Sequence, residues 1–508
     1  MVAPRPPHRI AIARLWEPSI RGDAGKRLAP LEPTRAGNTE RDGHRDRLVP
    51  PRPADERQPA LAAAAEADRI VPVFCFEEGL YGGRHRSANR NAYLRASLRE
   101  LDANLRDAGS KLHYRSGDPA VQIKRLAAEC GADVVHVNRD HTAHARARDR
   151  RVQEALGRDA VELTGHAGVS CAEIATIETG SGAPYRVFTP FSKAWMAADR
   201  REIATKPRKL RSPSGIEVGK LLSEDRLGIT AEAKRIAEAA GVGEEAGRKL
   251  MRRAAERAAD YERIRDLPGL DETTRLSPPL HFGTVSAREV ETLLVPQRSN
   301  GAKALRRQIC WRDFWLNVIR NFPANRTEEY DERFRGMRWN DDRNSLTAWK
   351  RGETGVPYVD AGMRQLLTEG WMHNRVRMAV ASYLTKNLLI DWREGEAHFM
   401  AHLLDGDESQ NNGNWQWAAS VGADPQPYFR VFNPVKQQQK FDPDGTYVRR
   451  WVPELERVPD KYLAEPWEAP AEVQEEAGCL IGSDYPEPLV DLKHSREEAI
   501  ARFGDQRG

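Results

Sequence analysis

The chain has 508 residues, a formal net charge of +4 and a pI near 8.7, so it is long enough for two or three domains and only mildly basic. Such a charge permits nucleic-acid binding without indicating it. The five cysteines are far apart with no Cys-x-x-Cys pair, which argues against a disulfide framework, a zinc site or an iron–sulfur cluster. Because the sequence has neither a signal peptide at its start nor a run of about 18 apolar residues, we expect a cytoplasmic protein with no membrane partner.

Residues 1–58 are rich in Pro, Gly, Arg and Asp and predict a divergent segment of loop or disorder, with one possible short strand at 8–15. From residue 59 onward, strand patterns alternate with helical patterns, which predicts a parallel, Rossmann-like α/β domain over 59–170. The expected elements are helices at 59–68, 91–108 and 119–130 and strands at 70–76, 112–115 and 133–137.

The rest of the chain divides into a linker and a helical domain. Residues 171–229 contain stretches rich in Pro, Gly, Ser and Lys and predict the linker. Helical spacing dominates residues 230–508, which predicts an all-α domain. Nine of the twelve tryptophans lie between Trp311 and Trp451, so we expect the aromatic chemistry in this half.

The densest block of chemistry lies within residues 370–434. Apolar residues recur at three- and four-residue steps over 375–392, as in a buried helix. Arg375 and Arg377 open this helix and need anionic partners, because an unpaired buried charge is very costly. The candidates are Asp405 and Asp407, which precede a predicted tight turn at 411–413. A lone tryptophan is more often core and a lone Arg–Asp pair more often structural, but here these residues are crowded together.

Three motifs carry a resemblance to a known family: Trp-Met-His-Asn-Arg-Val-Arg-Met at 371–378, Asp-Gly-Asp at 405–407 and Asn-Asn-Gly-Asn-Trp-Gln-Trp at 411–417. They resemble the DNA photolyase and cryptochrome family, closest to class I cyclobutane pyrimidine dimer photolyases. The resemblance extends from about residue 59 to near the C terminus. It implies an N-terminal antenna-chromophore domain followed by a helical FAD-binding domain, in agreement with the patterns above.

The resemblance implies a cofactor site for FAD in its reduced, anionic state. Asn411 would face the flavin N5, and Arg377, paired with Asp405, would lie beside the flavin. Gly406 and Asp407 would also bind the cofactor. A further set would bind its diphosphate: Tyr261, Thr273, Thr274, Arg275, Leu276 and Ser277. Taken alone, the segment 273–277 could be an ordinary helix cap.

An electron relay is also implied by the resemblance. Trp415, Trp392 and Trp339 match the family's tryptophan triad, which passes electrons from the surface to the photoexcited flavin. Core packing is the alternative for each of them. Repair enzymes and light receptors share this triad, so it does not separate the two.

The implied substrate is a cyclobutane dimer in UV-damaged DNA. Trp311 and Trp417 match the aromatic walls around the extruded dimer, and extrusion of the target base is a rule for which photolyases are a known example. Asn374 and Met378 match positions that contact the damaged bases, where (6-4) photolyases have histidines. The phosphate-gripping arginines would be Arg265, Arg375 and Arg430.

Two departures from the family pattern affect these expectations. Gln308 stands where dimer photolyases usually have Glu; an amide still donates one hydrogen bond, so we expect reduced efficiency or altered preference before loss of activity. Residues 48–57 replace the family's opening strand with a segment containing three prolines, which cannot form a central strand. The first strand is then either lost or replaced by residues 9–15, or the reading frame is shifted.

The second chromophore is predicted from the segments 138–140 and 146–149, with Asp140 as a candidate contact. Ala145 stands where the folate-binding subgroup has Glu, which favours a deazaflavin over methenyltetrahydrofolate.

We therefore expect a monomeric deoxyribodipyrimidine photolyase, which splits cyclobutane dimers by light-driven electron transfer from reduced FAD. The alternatives are a cryptochrome-type blue-light receptor or a (6-4) photolyase, and Gln308 favours both. Asn411, the repair-type residue, argues against the receptor. An inactive product with a damaged antenna domain is a further possibility.

Overall fold

The computed structural model describes residues 8–12, 59–83, 86–425 and 429–506. The N-terminal part is a five-stranded parallel sheet with strand order β3-β2-β1-β4-β5. Its strands are β1 (His8–Ile12), β2 (Arg69–Phe76), β3 (His113–Ser116), β4 (Ala132–Arg139) and β5 (Glu162–Ala167). Its helices are α1 (Pro59–Ala64), α2 (Glu78–Tyr81), α3 (Ala88–Asp107), α4 (Pro119–Cys130) and α5 (Ala143–Gly157).

Strand β1 lies at the centre of this sheet. Ile10 pairs with Val71 of β2 on one side and with Val135 of β4 on the other, and its side chain is fully buried. Of the alternatives above, replacement of the opening strand by a segment near residue 9 is the one the structure contains. The sheet therefore includes an apolar strand from the segment before residue 59, which is far away in sequence but central in space. The proline-containing segment 48–57 lies outside the described residues.

The predicted fold class is confirmed, although the edge strand β5 was not predicted. Its residues are only half-buried and mix Glu, Thr, Gly and His, so they lack the apolar run of a central parallel strand. In contrast, helix α3 has a clear start, because the Ser87 side chain accepts a hydrogen bond from the backbone N–H of Arg90.

The segment predicted as a linker begins with residues that are firmly attached to the helical part. Asp313 is fully buried and accepts hydrogen bonds from the backbone N–H of Cys171 at 3.0 Å and of Ala172 at 2.9 Å. It also accepts one from Trp195 Nε1 at 2.8 Å, in helix α6 (Phe188–Ala197). Removing these partners would leave a buried carboxylate unsatisfied, so this network fixes the linker's course over the helices.

The C-terminal part is helical, as predicted. Helices α13, α16, α17 and α18 surround the site described below, and a π-helical segment, Tyr383–Asn387, follows α16. None of the described helices is both long and apolar enough to cross a membrane. The helices are α7 (Glu224–Leu227), α8 (Ala231–Ala240), α9 (Gly243–Glu256), α10 (Tyr261–Ile264), α11 (Ser277–Phe282), α12 (Ala287–Leu294), α13 (Asn300–Asn321), α14 (Arg343–Arg351), α15 (Pro357–Glu369), α16 (Asn374–Ser382), α17 (Trp392–His402), α18 (Glu408–Ala419), α19 (Pro434–Phe441), α20 (Thr446–Trp451), α21 (Asp460–Leu463), α22 (Ala471–Ala477) and α23 (Leu492–Asp505).

The central place of β1 predicts a large effect of a small substitution. Ile10→Ala would leave a cavity in the middle of the sheet and cost about 2–5 kcal/mol in the free energy of unfolding. Val121→Ala is the matched control, because Val121 is 60% exposed and its truncation should change stability by less than about 0.5 kcal/mol. Urea unfolding followed by circular dichroism measures both. Equal effects of the two substitutions would contradict the assignment of residues 8–12 to the central strand.

Candidate cofactor and DNA site

A cavity of about 490 Å³ opens in the helical part between α13, α16, α18 and the loop before α11. It collects residues that are as much as 157 positions apart in sequence, from Tyr261 to Ala418. Most of the predicted site residues line it: Tyr261, Arg265, Thr273, Thr274, Arg275, Leu276, Ser277, Gln308, Trp311, Asn374, Arg375, Arg377, Met378, Asp405, Asp407, Asn411, Trp415 and Trp417.

The predicted ion pair between Arg377 and Asp405 forms at this cavity. Nη2 of Arg377 lies 3.0 Å and 3.2 Å from the two carboxylate oxygens of Asp405, and its Nε donates to the Met372 carbonyl at 2.8 Å. The Asp405 side chain is 4% exposed and that of Arg377 is 25% exposed. The pair therefore places a fixed, partly desolvated positive group at the cavity wall.

Asp407 is the second carboxylate of this segment; its side chain is 17% exposed, and it caps helix α18. It accepts hydrogen bonds from the backbone N–H of Gln410 at 3.0 Å and from the Ser409 hydroxyl. The Nδ1 atom of His281 lies 3.6 Å from its Oδ2. Burial acts to raise the pKa of Asp407, but His281, Arg312 and the Ser409 hydrogen bond outweigh it and hold the pKa well below its usual range. Burial lowers the pKa of His281, while the neighbouring Asp407 acts to raise it.

Asn411 lies inside α18, so the tight turn predicted at 411–413 was wrong. The Asn-Asn-Gly sequence is helical here because Gly413 packs directly under Trp315, where a Cβ would come within 2.3 Å of the indole ring. The Asn411 side chain is buried, and its Nδ2 donates to the carbonyl of Glu396 at 3.0 Å. This hydrogen bond leaves Oδ1 as an acceptor and the second Nδ2 hydrogen as a donor for a ligand in the cavity.

The loop before α11 provides polar groups on another side of the cavity. The Thr273 hydroxyl is buried without a hydrogen-bond partner, which is unusual for a polar atom unless a ligand or water satisfies it. Burial raises the pKa of Tyr261 to about 12, so its phenol remains a donor at neutral pH. Thr274 Oγ1 accepts weakly from the Leu276 N–H at 3.5 Å. The loop therefore presents hydroxyl donors to the cavity.

Arg275 is placed differently from the simple prediction of a phosphate clamp. It adopts a left-handed conformation, with φ of 51°, and its guanidinium is bound by Glu369 at 3.0 Å and Asp271 at 2.6 Å. The same guanidinium stacks 3.7 Å above the ring of Trp371, whose Nε1 donates to Ser277 Oγ at 3.3 Å. Arg275 thus shapes the loop, while the threonine hydroxyls face the cavity.

The three tryptophans of the predicted relay differ in their burial. Trp415 lines the cavity, and its ring occupies the space beside Gly395, where a Cβ would lie 2.1 Å from it. Trp392 is three residues before Gly395 on the same face of α17 and is fully buried. Trp339 is half-buried, and its neighbour Asn340 donates to the Leu389 carbonyl at 2.7 Å, close to the start of α17. A relay through these three residues stays a prediction.

Trp311 and Trp417 both line the cavity, as predicted for aromatic walls. One face of Trp311 is covered by Phe188, with ring centroids 3.6 Å apart and planes 2° from parallel. The edge of Phe314 packs on it as well, at 5.6 Å. Trp417 Nε1 is buried without a hydrogen-bond partner. These contacts fix the Trp311 ring before any ligand arrives.

The predicted DNA-contacting residues are not all equally placed. Gln308, Asn374 and Met378 lie together at the cavity, and Asn374 is exposed to solvent. Two of the arginines are also there, but Arg375 is already bound to Asp266 at 2.8 Å. Arg265 is held more loosely, since its Nε lies 4.0 Å from Asp266. The structure does not bring Arg430 to the cavity lining; it is an exposed residue on the segment after 426–428.

A second, smaller cavity of about 150 Å³ lies between the two parts of the molecule. Asp140 lines it, as does Asn138, both at the carboxyl end of β4. The two cavities share a wall, because His281 and Asp407 line both of them. This position is the one expected for a ligand in an open parallel sheet, beyond the ends of the strands.

Sequence reasoning missed several residues that shape the site. His281, Phe188, Trp371 and Glu369 contact predicted site residues but were not identified. The available signals were chemical: a histidine at 281, shortly after the predicted diphosphate-binding set, and a tryptophan at 371, which opens the motif 371–378. Phe188 carried no signal, because it lies in the predicted linker and reaches the cavity wall only through the fold.

Comparisons with known proteins agree with this geometry. Residues 55–210 match the family model described as DNA photolyase, and residues 305–505 match that of the FAD binding domain of DNA photolyase. A deoxyribodipyrimidine photo-lyase of Streptomyces griseus is 42% identical over 450 residues, covering 88% of this chain and 95% of that protein.

Solved structures share the whole architecture. A bacterial class III photolyase from Agrobacterium tumefaciens matches with a TM-score of 0.87 and 34% identity, over 100% of this chain and 99% of that one. A cryptochrome of Synechocystis sp. PCC6803 matches with a TM-score of 0.81 and 29% identity, over 87% and 95% of the two chains. From the matched models, the sequence identity and the shared fold, we conclude that this chain belongs to the DNA photolyase and cryptochrome family.

Proposed function

We propose that this chain is a photolyase that repairs cyclobutane pyrimidine dimers in UV-damaged DNA, using light and reduced FAD. The observation that carries the proposal is the composition of one cavity. A fixed Arg377–Asp405 pair and Asn411 line it together with two aromatic walls, Trp311 and Trp417. Such a cavity has both a polar surface suited to a flavin and an apolar surface suited to flat bases.

The residues of the cavity fit FAD. Thr273 offers a buried hydroxyl without a partner, and Tyr261 and Thr274 add further hydroxyls, which suit the diphosphate. Arg377 would hold positive charge near the flavin ring. Asn411 offers a neutral acceptor, so its side chain adds no negative charge that would oppose an anionic flavin. Gly406 and Asp407 would complete this side, and Leu276 and Ser277 would close the other.

When bound and reduced, FAD supplies the excited-state electron that enters the dimer and returns once the two bonds between the pyrimidines have broken. The chain's own residues position the substrate for that event. Trp311, held by Phe188, and Trp417 provide flat surfaces on which the two bases can stack. Gln308 can donate one amide hydrogen bond to a base carbonyl, and Asn374 and Met378 lie at the same end.

The path for DNA follows from the exposed side of the cavity. Arg265 and Arg375 lie there and can contact phosphates, although Arg375 would have to share its guanidinium with Asp266. Arg430 is exposed outside the cavity and would contact the flanking backbone. The dimer must leave the helix to reach the aromatic walls, and a damaged pair is the least costly to extrude.

The tryptophan series is proposed to restore the reduced flavin. Trp339, the most exposed of the three, would pass an electron to Trp392, Trp392 would pass one to Trp415, and Trp415 would pass one to the flavin.

For the second cavity we propose an antenna chromophore, a deazaflavin rather than a folate, with Asp140 among its contacts. We further propose that the protein belongs to the class I subgroup and acts as a cytoplasmic monomer, in keeping with five buried, unpaired cysteines.

A signalling receptor or a (6-4) photolyase is the second candidate, and Gln308 favours it. The two candidates differ in substrate. Asn374 and Met378, which line the cavity, argue for the cyclobutane dimer, since neither can act as the acid that a histidine would provide.

The direct test uses oligonucleotides with a single lesion. We expect the reduced holoprotein to restore thymines from a cyclobutane dimer under blue light but not in the dark, and to leave a (6-4) product unchanged. Gln308→Glu, which restores the residue usual in dimer photolyases, should increase the yield per absorbed photon. Gln308→Leu should reduce it, because leucine cannot donate a hydrogen bond to the base carbonyl. Restored thymines are counted by chromatography. Repair of the (6-4) product alone, or of neither lesion with FAD fully bound, would contradict the proposal.

The relay predicts a separation of two activities. Trp392→Phe should slow light-driven reduction of bound, oxidised FAD by about tenfold or more, since phenylalanine is much harder to oxidise than tryptophan. Repair by protein that has first been reduced chemically should stay near the wild-type rate. Trp349→Phe is the control, because Trp349 is equally buried and touches Trp415 at 6.1 Å but lies outside the proposed series. Equal slowing by both substitutions would exclude the proposed path.

The site should also depend on pH through His373, which caps α16. Its Nδ1 accepts from the Arg375 N–H at 3.2 Å, and burial lowers the pKa of His373 to about 4, against about 6.5 when unfolded. The folded state binds this proton less tightly than the unfolded state does. The free energy of unfolding therefore decreases as the pH falls below about 6.5, by roughly 2 kcal/mol at pH 5. His373→Asn keeps a cap without titrating, so its melting temperature should fall less between pH 7 and pH 5. Parallel pH profiles of the two proteins would contradict this role.

A further inference from the structure

A single arginine of the α/β part reaches the segment 405–407 in the helical part. Arg90 lies near the start of α3 and is 1% exposed. Its Nη1 donates to the carbonyl of Leu403 at 3.0 Å and to that of Met400, both at the end of α17. The next residue back, Asn89, donates to the His402 carbonyl at 2.7 Å. Together they bind the terminal carbonyls that an α-helix cannot satisfy itself.

The glycine at position 406 makes room for this arginine. A Cβ on Gly406 would lie 2.5 Å from Arg90 Nη1, closer than any real contact allows. Gly406 has no left-handed backbone conformation that would demand glycine. The residue between the two carboxylates is therefore small because a guanidinium from the other part of the molecule packs against it.

The charge of Arg90 adds to that of Arg377. Asp405 is bound directly by Arg377, at 3.0 Å and 3.2 Å. Burial lowers the pKa of Arg90 to about 9, while the negative charge of Asp405 raises it, so the guanidinium remains protonated at neutral pH. Two positive groups therefore act on one buried carboxylate. A neutral donor could bind the α17 carbonyls, as Asn89 does, so helix capping alone does not explain a buried charge.

We propose that Arg90 is a positioning residue through which the α/β part fixes segment 405–407, and that its charge stabilises the reduced, anionic flavin. This inference rests on the proposed function, since it assumes that FAD occupies the 490 Å³ cavity. It assigns the α/β part a role in the flavin site that does not depend on any antenna chromophore.

The experiment compares Arg90→Met with Arg90→Lys and Asn89→Ala in the full-length holoprotein. Two readouts are used: the dissociation constant of FAD, from the fluorescence of released FAD, and the flavin midpoint potential, from spectroelectrochemical titration. Arg90→Met removes the charge and should weaken FAD binding by about tenfold or more and move the potential to more negative values. Arg90→Lys keeps the charge and should retain most of the wild-type potential.

Asn89→Ala is the matched control, because it removes a neighbouring cap of α17 without changing any charge. A purely structural role would make Asn89→Ala and Arg90→Met behave alike, with lower melting temperatures and an unchanged potential, and this result would overturn the proposal. If Arg90→Met does not yield folded holoprotein, Gly406→Ala takes its place. Its Cβ displaces the guanidinium and should shift the potential in the same direction, and an unchanged potential would again overturn the proposal.

The failure of this inference is distinguishable from failure of the proposed function. If wild-type protein binds no FAD, the proposed function fails. If it binds FAD and repairs dimers, while Arg90→Met keeps the wild-type potential and affinity, only the role of Arg90 fails.

Discussion

Two carboxylates within three residues, the buried Asp405 and the half-buried Asp407, impose the main constraint on this molecule. An ionised carboxylate removed from water must be compensated by positive charge or by hydrogen bonds. Each of the surrounding elements supplies one: α16 brings Arg377, α11 brings His281, and α18 begins where Asp407 caps it. The cavity exists because these compensating groups approach the segment from different sides and hold its walls apart.

The aromatic residues of the site depend on a second constraint, which is close packing of α18 against α17 and α13. Gly395 and Gly413 leave room for the rings of Trp415 and Trp315, respectively, each of which would collide with a Cβ. The indoles are thereby held against helix backbones instead of filling a loose core. A series of tryptophans with fixed neighbours is a suitable medium for electron transfer, and a rigid Trp311 is a suitable wall for a flat base. The same packing therefore serves both proposed roles.

The fold class and most of the cavity could be predicted from the sequence because their signals are local. Alternating periodicities indicated the parallel sheet, and paired arginines and aspartates inside apolar segments indicated ion pairs there. The resemblance to the photolyase family implied the particular pair of Arg377 with Asp405. Residues 8–12 and Asn411 show the limits of local signals. The pattern at 8–15 allowed a short strand but did not show that it pairs at the centre of a sheet whose next strand along the chain begins after 56 further residues. Asn-Asn-Gly favours a turn until helix packing decides otherwise.

The remaining contacts could not be predicted because they join distant parts of the chain. Arg90 and Met400 are 310 residues apart, and Phe188 reaches Trp311 from a segment that looked like a linker. Such contacts are fixed by the tertiary fold alone, and they carry much of the site's rigidity. Functional residues in motifs are thus easier to predict than the residues that hold them in position.

The most direct test of the central claim is a crystal structure of the reduced holoprotein with duplex DNA containing one thymine cyclobutane dimer. The account predicts FAD in the cavity beside Arg377 and Asn411, with the dimer out of the helix between Trp311 and Trp417. A dimer that remains stacked in the duplex, or DNA bound away from these two tryptophans, would contradict it.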